Sequence, residues 1–266
     1  MSNTALVERA SSRSLARASA LLLSVASAFP SFTSAAQETP KMHQEPAATQ
    51  GASDSLNARQ QAIVPIAAFA AAGHLDKLNA ALNQGLDAGL TINESKEVLV
   101  QLYAYAGFPR SLNALGELMK VVDARKQRGK QDPVGRTPSR PIPKGDALLA
   151  AGTSNQTRLS GGPVQGALFE FAPAIDQYLK THLFGDIFER DTLDWQSREL
   201  ATVSMLSALP GAEAQLQSHM RISMNVGLTA GQLKQLTQVL EDRVDTEGSR
   251  RGREALERHL ASQQGR

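Results

Sequence analysis

Hydrophobic residues recur every three or four positions in two stretches of the chain, 56–127 and 166–262, and this spacing is typical of helices with one buried face. In the first stretch, leucines occupy positions 75, 78, 82 and 86, and Gly89 follows where a helix commonly ends in a left-handed residue. No segment shows the sustained alternation of apolar and polar residues that is typical of a strand. The pattern therefore predicts an all-α fold.

The starts of two predicted helices carry capping signals. Thr91 is followed three residues later by Glu94, and Thr229 is followed at the same spacing by Gln232. In such a capping box, each side chain accepts a hydrogen bond from a backbone N–H group that the first helical turn leaves unpaired. We therefore expect helices to begin directly after Thr91 and Thr229.

The two stretches also resemble each other. A shift of 138 residues places "LNAALNQGLDAGLT" (78–91) on "LQSHMRISMNVGLT" (216–229), and both end in Gly-Leu-Thr. The same shift places Gln61 opposite Glu199 and Ala81 opposite His219. Self-similarity at a fixed spacing indicates an internal duplication. The sequence therefore predicts two tandem helical units that form one pseudo-duplicated bundle.

The segments outside these units have a different composition. Residues 128–165 contain prolines at positions 133, 138, 141 and 143 together with several glycines, which indicates a linker or an extended surface loop between the units. Residues 37–55 are polar and rich in Ala, Gln, Ser and Pro, which is typical of a disordered lead-in.

Residues 1–36 have the layout of a secretory signal peptide. Arginines at positions 9, 13 and 17 precede the apolar run "ASALLLSVASAF" (18–29), and "SAAQ" (34–37) offers small residues for cleavage after Ala36. The apolar run is too short to span a bilayer well, so we expect no stable membrane insertion, although an anchor or an unstructured tail is the alternative. A periplasmic or secreted location is therefore expected.

Charge and cysteine content exclude several classes of function. The full chain has a formal charge of +2, but the predicted signal peptide holds three Arg and one Glu, so the mature chain is neutral and offers no argument for nucleic-acid binding. The chain has no cysteine, which excludes thiol nucleophiles, thiol redox cycles and thiolate metal sites. The sequence contains no metal-ligand cluster and no glycine-rich phosphate loop, so we predict no metal site.

A histidine and a glutamate lie on apolar helix faces of the second unit. His219 falls beside Leu216 and Met220, and Glu199 lies four residues before Val203 on the preceding helix. A carboxylate on an apolar face is costly unless it is paired. A short turn between the two helices would bring Glu199 and His219 together as an acid–base pair. The alternatives are a purely structural pair, a hydrogen-bonded core histidine, or a surface ion pair of Glu199 with an arginine.

The segment "YAYAGFPRSLNAL" (103–115) supplies two further candidates. Arg110 follows Pro109 at a predicted helix N-terminus, where a cation opposes the helix dipole, so we expect it to bind a substrate carboxylate or an acidic side chain. Tyr103 and Tyr105 point in different directions, so at most one of them faces a pocket. Tyr105 is the candidate for substrate binding, and core packing is the default for either.

These motifs resemble the carboxymuconolactone decarboxylase family, which shares its fold with the alkyl hydroperoxidase D proteins. The resemblance lies in "LNQGLDAGLTINESKEVLVQLYAYAGFPRSLNAL" (82–115), "SRELATVSMLSAL" (197–209) and "LQSHMRISMNVGLT" (216–229). It implies a helical fold that assembles into trimers or hexamers and a cofactor-free site containing a Glu and a His. The redox branch of the family has a Cys-x-x-Cys pair shortly before that His. Residues 212–215 here read Ala-Glu-Ala-Gln, so a peroxiredoxin-type peroxidase function is disfavoured.

Compared with the family pattern, the elements of the site are divided between the two units. The first unit keeps "YAYAGFPR" (103–110) and lacks the Glu and His, whereas the second keeps Glu199 and His219 and lacks that turn. We therefore hypothesise one composite pocket per chain, in which Glu199 and His219 perform the chemistry and Arg110 and Tyr105 bind the substrate. The expected reaction is decarboxylation or isomerisation of a small lactone or carboxylic acid. The alternative is a non-catalytic oligomeric binding protein.

Overall fold

Helices joined by turns make up residues 54–264, the part of the chain that the computed structural model describes. The first repeat contains α1 (Ala58–Ala72), α2 (Leu75–Asp87), α3 (Ile92–Gln101) and α4 (Tyr103–Gln127). An insertion follows, with α5 (Asp146–Ser160), α6 (Ala167–Phe171), α7 (Pro173–Tyr178) and a π-helix (Leu179–Ile187). The second repeat contains α8 (Trp195–Ser207), α9 (Glu213–Asn225), α10 (Ala230–Arg243) and α11 (Thr246–Gln264). Because residues 54–264 include no strand, the all-α prediction is confirmed.

The predicted signal peptide, residues 1–36, lies outside the described residues, as does the lead-in up to residue 53. The last two lead-in residues contact the second repeat, since the Thr229 hydroxyl donates to the Asp54 carboxylate and Gln232 Nε2 donates to the Ser55 carbonyl oxygen. Within residues 54–264, no helix combines the length and hydropathy that crossing a bilayer requires.

Local signals in the sequence set several helix boundaries. Thr91 and Glu94 form a complete capping box at the start of α3, and Thr229 and Gln232 form another at the start of α10. Gly89 has a φ angle of 92° and ends the turn after α2, as the sequence predicts. Each of these features is decided by residues close together in the chain, which is why the pattern alone identifies them.

The two repeats follow the same helical plan. Helices α2 and α9 begin at Leu75 and Glu213, and helices α3 and α10 begin at Ile92 and Ala230, so both pairs keep the 138-residue spacing of the sequence match. Gly227, opposite Gly89, also has a left-handed backbone, with a φ angle of 96°. The prediction of two tandem helical units is therefore confirmed.

Helices α1 and α8 form the centre of the bundle. Residues 62–71 of α1 and 197–207 of α8 are all buried, and the two helices pack directly against each other. Five of the ten buried α1 residues are alanines, and small side chains at the contact allow two helices to approach closely. Both repeats thereby contribute to one hydrophobic core, which contains Ile66 of α1 and Leu200 of α8.

Within the predicted linker, residues 146–160 form α5 and pack against the π-helix, so this part of the segment is not an extended loop. The buried face of α5 is mostly small or polar, with Gly152, Asn155 and Gln156 among its buried residues, so it lacks the apolar periodicity that would have predicted a helix. Asn155 Nδ2 donates to the Phe184 carbonyl oxygen at 2.9 Å and to Glu189 Oε1 at 2.7 Å. The contact between α5 and the π-helix therefore depends on close backbone approach and buried hydrogen bonds.

Candidate functional site

The candidate site is centred on Glu199, which is completely buried in the middle of α8. Its Oε2 lies 2.7 Å from Nδ1 of His219, on the neighbouring α9. When Glu199 is ionised it can only accept hydrogen bonds, and the proton between the two side chains is then carried by Nδ1. The second oxygen, Oε1, is buried and has no hydrogen-bond partner among the described residues. Glu199 therefore keeps unused acceptor capacity inside the protein.

His219 lies at the edge of the core and retains 7% of its surface exposed. Its other ring nitrogen, Nε2, makes no hydrogen bond with the described residues. Nε2 is also not among the buried polar atoms that lack a hydrogen-bond partner. With Nδ1 protonated, Nε2 carries the lone pair of the ring and is the nitrogen that can accept a proton.

Tyr105 of the first repeat contacts the histidine of this pair. Its ring packs edge-on against the imidazole of His219, with 5.7 Å between ring centroids and an interplanar angle of 79°. Burial, and secondarily the Glu199 carboxylate, raises the pKa of Tyr105 well above its usual value of 10.0, so the phenol is neutral at physiological pH. The structure thus brings together three of the four residues that the sequence singles out: Glu199, His219 and Tyr105.

A hydrogen-bonded network that the sequence analysis missed holds Tyr105 in place. The hydroxyl groups of Tyr105 and Thr202 are 3.2 Å apart, and Gln101 Nε2 donates to Thr202 Oγ1 at 2.7 Å. Gln101 Nε2 also lies 3.0 Å from the Arg198 carbonyl oxygen, and Gln101 Oε1 accepts from Arg198 Nη1 at 3.1 Å. No local motif identifies these partners, because α3 and α8 are about a hundred residues apart in the chain.

An ion-pair cluster anchors the far end of this network. Arg198 is completely buried and donates to Glu97 Oε2 at 2.9 Å, and Arg190 donates to Glu97 Oε1 at 2.7 Å. Burial alone would raise the pKa of Glu97, but hydrogen bonds from Arg190 and Arg198 outweigh it and hold that pKa below its usual value. The two repeats are therefore joined by buried charges immediately beside the candidate site.

Arg110 is not part of this cluster. Its guanidinium donates to the carbonyl oxygen of Ala71, in the last turn of α1. A cation at a helix C-terminus satisfies an unpaired carbonyl group and interacts favourably with the helix dipole. This contact explains why an arginine occupies the start of a helix segment after Gly107, where α4 is kinked. Substrate binding by Arg110 stays a prediction, without support from its position.

The insertion borders the site. A second apolar cluster combines Leu159 of α5, Phe184 of the π-helix, Phe188 directly after it, and Ile222 of α9. Tyr103 and Tyr105 pack against this cluster, so the insertion supports the tyrosine-bearing segment from outside the main core. Within residues 54–264, no group of three or more His, Asp and Glu side chains is arranged to hold a metal ion.

Comparison with known proteins finds the same family model twice, once in the first repeat and once from α7 of the insertion through the second repeat. The model of the Carboxymuconolactone decarboxylase family matches residues 42–119 and 173–258, which together cover more than half of the chain. The first match contains Tyr105, and the second contains both Glu199 and His219. No curated protein matches the chain significantly.

Proposed function

The chain belongs to the carboxymuconolactone decarboxylase family, and on that basis we propose that it performs cofactor-free acid–base catalysis on a small lactone or carboxylic acid. The observation that carries this proposal is the 2.7 Å contact between buried Glu199 and His219, which leaves Nε2 as the only ring nitrogen free to react. A glutamate that accepts the Nδ1 proton orients the imidazole and stabilises its protonated form.

The proposed chemistry is proton transfer at a carbon atom. In isomerisation, Nε2 of neutral His219 takes a proton from the carbon next to a carbonyl group, and the electrons of the C–H bond form an enolate. The imidazolium then returns the proton to another carbon of the conjugated system. In decarboxylation, the bond to the substrate carboxylate breaks, carbon dioxide leaves, and the remaining electron pair forms the enolate. Protonated Nε2 then delivers its proton to carbon.

Tyr105 is the proposed partner for the developing enolate oxygen. Its raised pKa keeps the phenol protonated, so its O–H group is a donor rather than a competing base. The ring packs edge-on against the imidazole of His219, and this contact supports a place for Tyr105 beside the substrate. We assign Tyr105 to substrate binding on this ground, and the roles of all three residues rest on their mutual geometry.

Two other functions follow from the same family. Thiol peroxidase chemistry is not available, because the chain contains no cysteine. A non-catalytic binding protein is the second candidate, and the small exposed fraction of His219, 7%, favours it because a substrate needs access to Nε2. The test of catalysis must therefore separate turnover from binding.

The decisive experiment compares wild-type protein with His219→Ala on a panel of small lactones and unsaturated acids. Exchange of substrate carbon-bound hydrogen with deuterated solvent, followed by NMR, reports isomerisation and decarboxylation alike. We expect the variant to be slower by about 100-fold or more, the usual contribution of a general acid–base residue. The control is His182→Ala, which removes an exposed histidine paired with Asp186.

The outcomes distinguish the two candidate functions. Equal exchange rates in wild-type protein and His219→Ala would refute the catalytic role of His219. If wild-type protein binds a panel member without any exchange or loss of carbon dioxide, the binding function is correct. Thermal unfolding of both variants checks that the fold is intact.

Export and assembly are further parts of the proposal. The signal-peptide pattern of residues 1–36 supports a periplasmic or secreted location, which the mass of the exported chain checks by showing whether it begins at Gln37. Family membership supports a homo-oligomer, and the exposed apolar side chains of Leu168, Phe171 and Ile175 are compatible with a contact between copies. Light scattering of the mature chain distinguishes a trimer or hexamer from a monomer.

A further inference from the structure

A cavity lies at the position of the first repeat that corresponds to the Glu199–His219 pair of the second. This cavity, about 350 Å³ in volume, lies between α1, α2 and the end of α10. Its lining includes Ala81 and Arg243, which the 138-residue shift places on His219 and Tyr105. Pro65, which also lines it, corresponds to Val203 on α8. The cavity is therefore the first repeat's counterpart of the candidate site, without its catalytic side chains.

The charged residues of this cavity are both cationic. Lys77 and Arg243 line it, and no acidic side chain does. Neither residue forms an ion pair within residues 54–264. Arg243 Nη2 donates to the neutral side chain of Gln84 at 2.6 Å, and Lys77 Nζ lies 5.6 Å from the centre of the Phe69 ring. Two cations without a carboxylate partner beside one cavity favour an anionic ligand.

The remaining walls of the cavity are apolar. Phe69 and Pro65 of α1 and Val244, directly after α10, provide hydrocarbon surface next to the two cations. Small-molecule sites typically combine an apolar lining with a few polar groups that fix the orientation of the ligand. An inorganic anion would leave the apolar walls unused, whereas an organic acid would contact both kinds of surface.

We propose that this cavity is a binding site for a small organic carboxylate, held by Lys77 and Arg243. The ligand is bound without chemistry, because Gln61 and Ala81 occupy the places of Glu199 and His219. The inference rests on the residues of this cavity and is independent of whether the Glu199–His219 pair is catalytic. One chain would therefore hold two corresponding sites, one with the Glu199–His219 pair and one with two cations.

The test uses benzoate as the carboxylate probe and benzamide as a neutral probe of nearly the same shape. Binding to the mature chain is followed by NMR of methyl groups, because the methyls of Ala81 and Val244 report this cavity specifically. We expect saturable shifts with benzoate and binding of benzamide weaker by about tenfold or more. Loss of a hydrogen bond to a charged group accounts for an effect of that size.

Variants separate this cavity from the candidate catalytic site. Lys77→Gln and Arg243→Gln should each weaken benzoate binding by about tenfold, since each removes one cation from an exposed position. His219→Ala should leave the Ala81 and Val244 shifts unchanged. The matched control is Lys96→Gln, which removes an exposed lysine that lines a different cavity, beside α4. Benzoate affinity that is the same in Arg243→Gln and wild-type protein, or no saturable shift at Ala81, would overturn the proposal.

Discussion

Two adjacent residues of α8 carry buried charges towards different neighbours. Arg198 and Glu199 are both completely buried, and consecutive residues of a helix point about 100° apart. Arg198 therefore pairs with Glu97 on α3, whereas Glu199 pairs with His219 on α9. Burying a charge is costly unless it is paired, so each of these contacts fixes the position of one helix against α8.

Removing the carboxylate of Glu97 should destabilise the protein strongly. Glu97→Gln leaves the buried Arg198 without its counter-charge, and we expect a loss of about 3 kcal/mol in the free energy of unfolding at pH 7. The value lies at the low end for buried pairs, because Arg190 is partly exposed to solvent. Urea unfolding measures the change. The control is Glu247→Gln, which breaks a solvent-exposed pair with Arg250 and should have no measurable effect.

The contribution of Glu97 to the free energy of unfolding should also decrease at acidic pH. Its pKa is lowered in the folded protein, below the ordinary value of 4.5. The stabilisation is therefore fully present above about pH 4.5 and is lost as the pH falls through the folded-state pKa. The difference in stability between wild-type protein and Glu97→Gln should shrink on acidification below that point. A difference that stays constant down to acid unfolding would contradict this assignment.

At the level of helices, the insertion depends on one glycine. A Cβ atom at Gly152 of α5 would overlap the carbonyl oxygen of Lys180 in the π-helix. This backbone contact explains how α5 and the π-helix pack without a large apolar interface. The second apolar cluster, which includes Phe184 of the π-helix, packs against Tyr105. Disrupting the contact between α5 and the π-helix should therefore also disturb the candidate site.

Gly152→Ala should therefore separate α5 from the π-helix. We expect destabilisation of about 1–3 kcal/mol, as for other overpacked contacts, and a lower unfolding temperature by at least about 2 °C. Thermal unfolding measures both. Gly162→Ala is the matched control, because a Cβ atom at that position meets no other atom within 4 Å. If the two variants melt at the same temperature, the close contact at Gly152 does not limit stability.

Arg110 shows how an element decides the role of a residue. In the sequence its place at the start of a helix segment is electrostatically unfavourable, which suggests a bound carboxylate. In the structure its guanidinium donates to Ala71, at the C-terminus of α1, where a cation is favourable. The carbonyl group that binds the Arg110 guanidinium belongs to a helix that ends almost forty residues earlier in the chain. The local sequence pattern around Arg110 contains no information about that contact.

Across the whole molecule, the two repeats depend on each other. Ten of the fifteen residues of α1 and eleven of the thirteen residues of α8 are buried, and the main contact of each helix is the other. A repeat expressed alone would expose one of these helices to water, with a large loss of apolar burial. Residues 54–144 alone, or 145–264 alone, should therefore not unfold cooperatively in circular dichroism. The intact chain is the control, and a half that melts cooperatively as a monomer would contradict the shared core.

The division of the site follows from the same arrangement. Residues of α3, α4, α8 and α9 meet around Tyr105, Thr202 and His219. Because the two central helices pack against each other, residues of both repeats meet at His219, and Arg243 of the second repeat lines the cavity of the first. The Glu199–His219 pair therefore belongs to the second repeat, whereas Tyr105 beside it belongs to the first.

Some features of this protein were determined by its sequence alone. Helical periodicity, the capping boxes at Thr91 and Thr229, the left-handed Gly89 and the 138-residue repeat each depend on residues close in the chain or on a constant spacing. The candidates Glu199 and His219 could be identified because charged and polar groups on an apolar helix face need a partner. The structure supplies that partner in each case.

Other features were decided only by tertiary structure. Gln101, Thr202 and Glu97 support the site through contacts between helices that are far apart in sequence, and Arg110 finds its acceptor in another helix. Helix α5 escaped prediction because its buried face is small and polar rather than apolar. The physical reason is the same throughout: periodicity shows that a face is buried, whereas the direction of a buried hydrogen bond depends on which helix packs against that face.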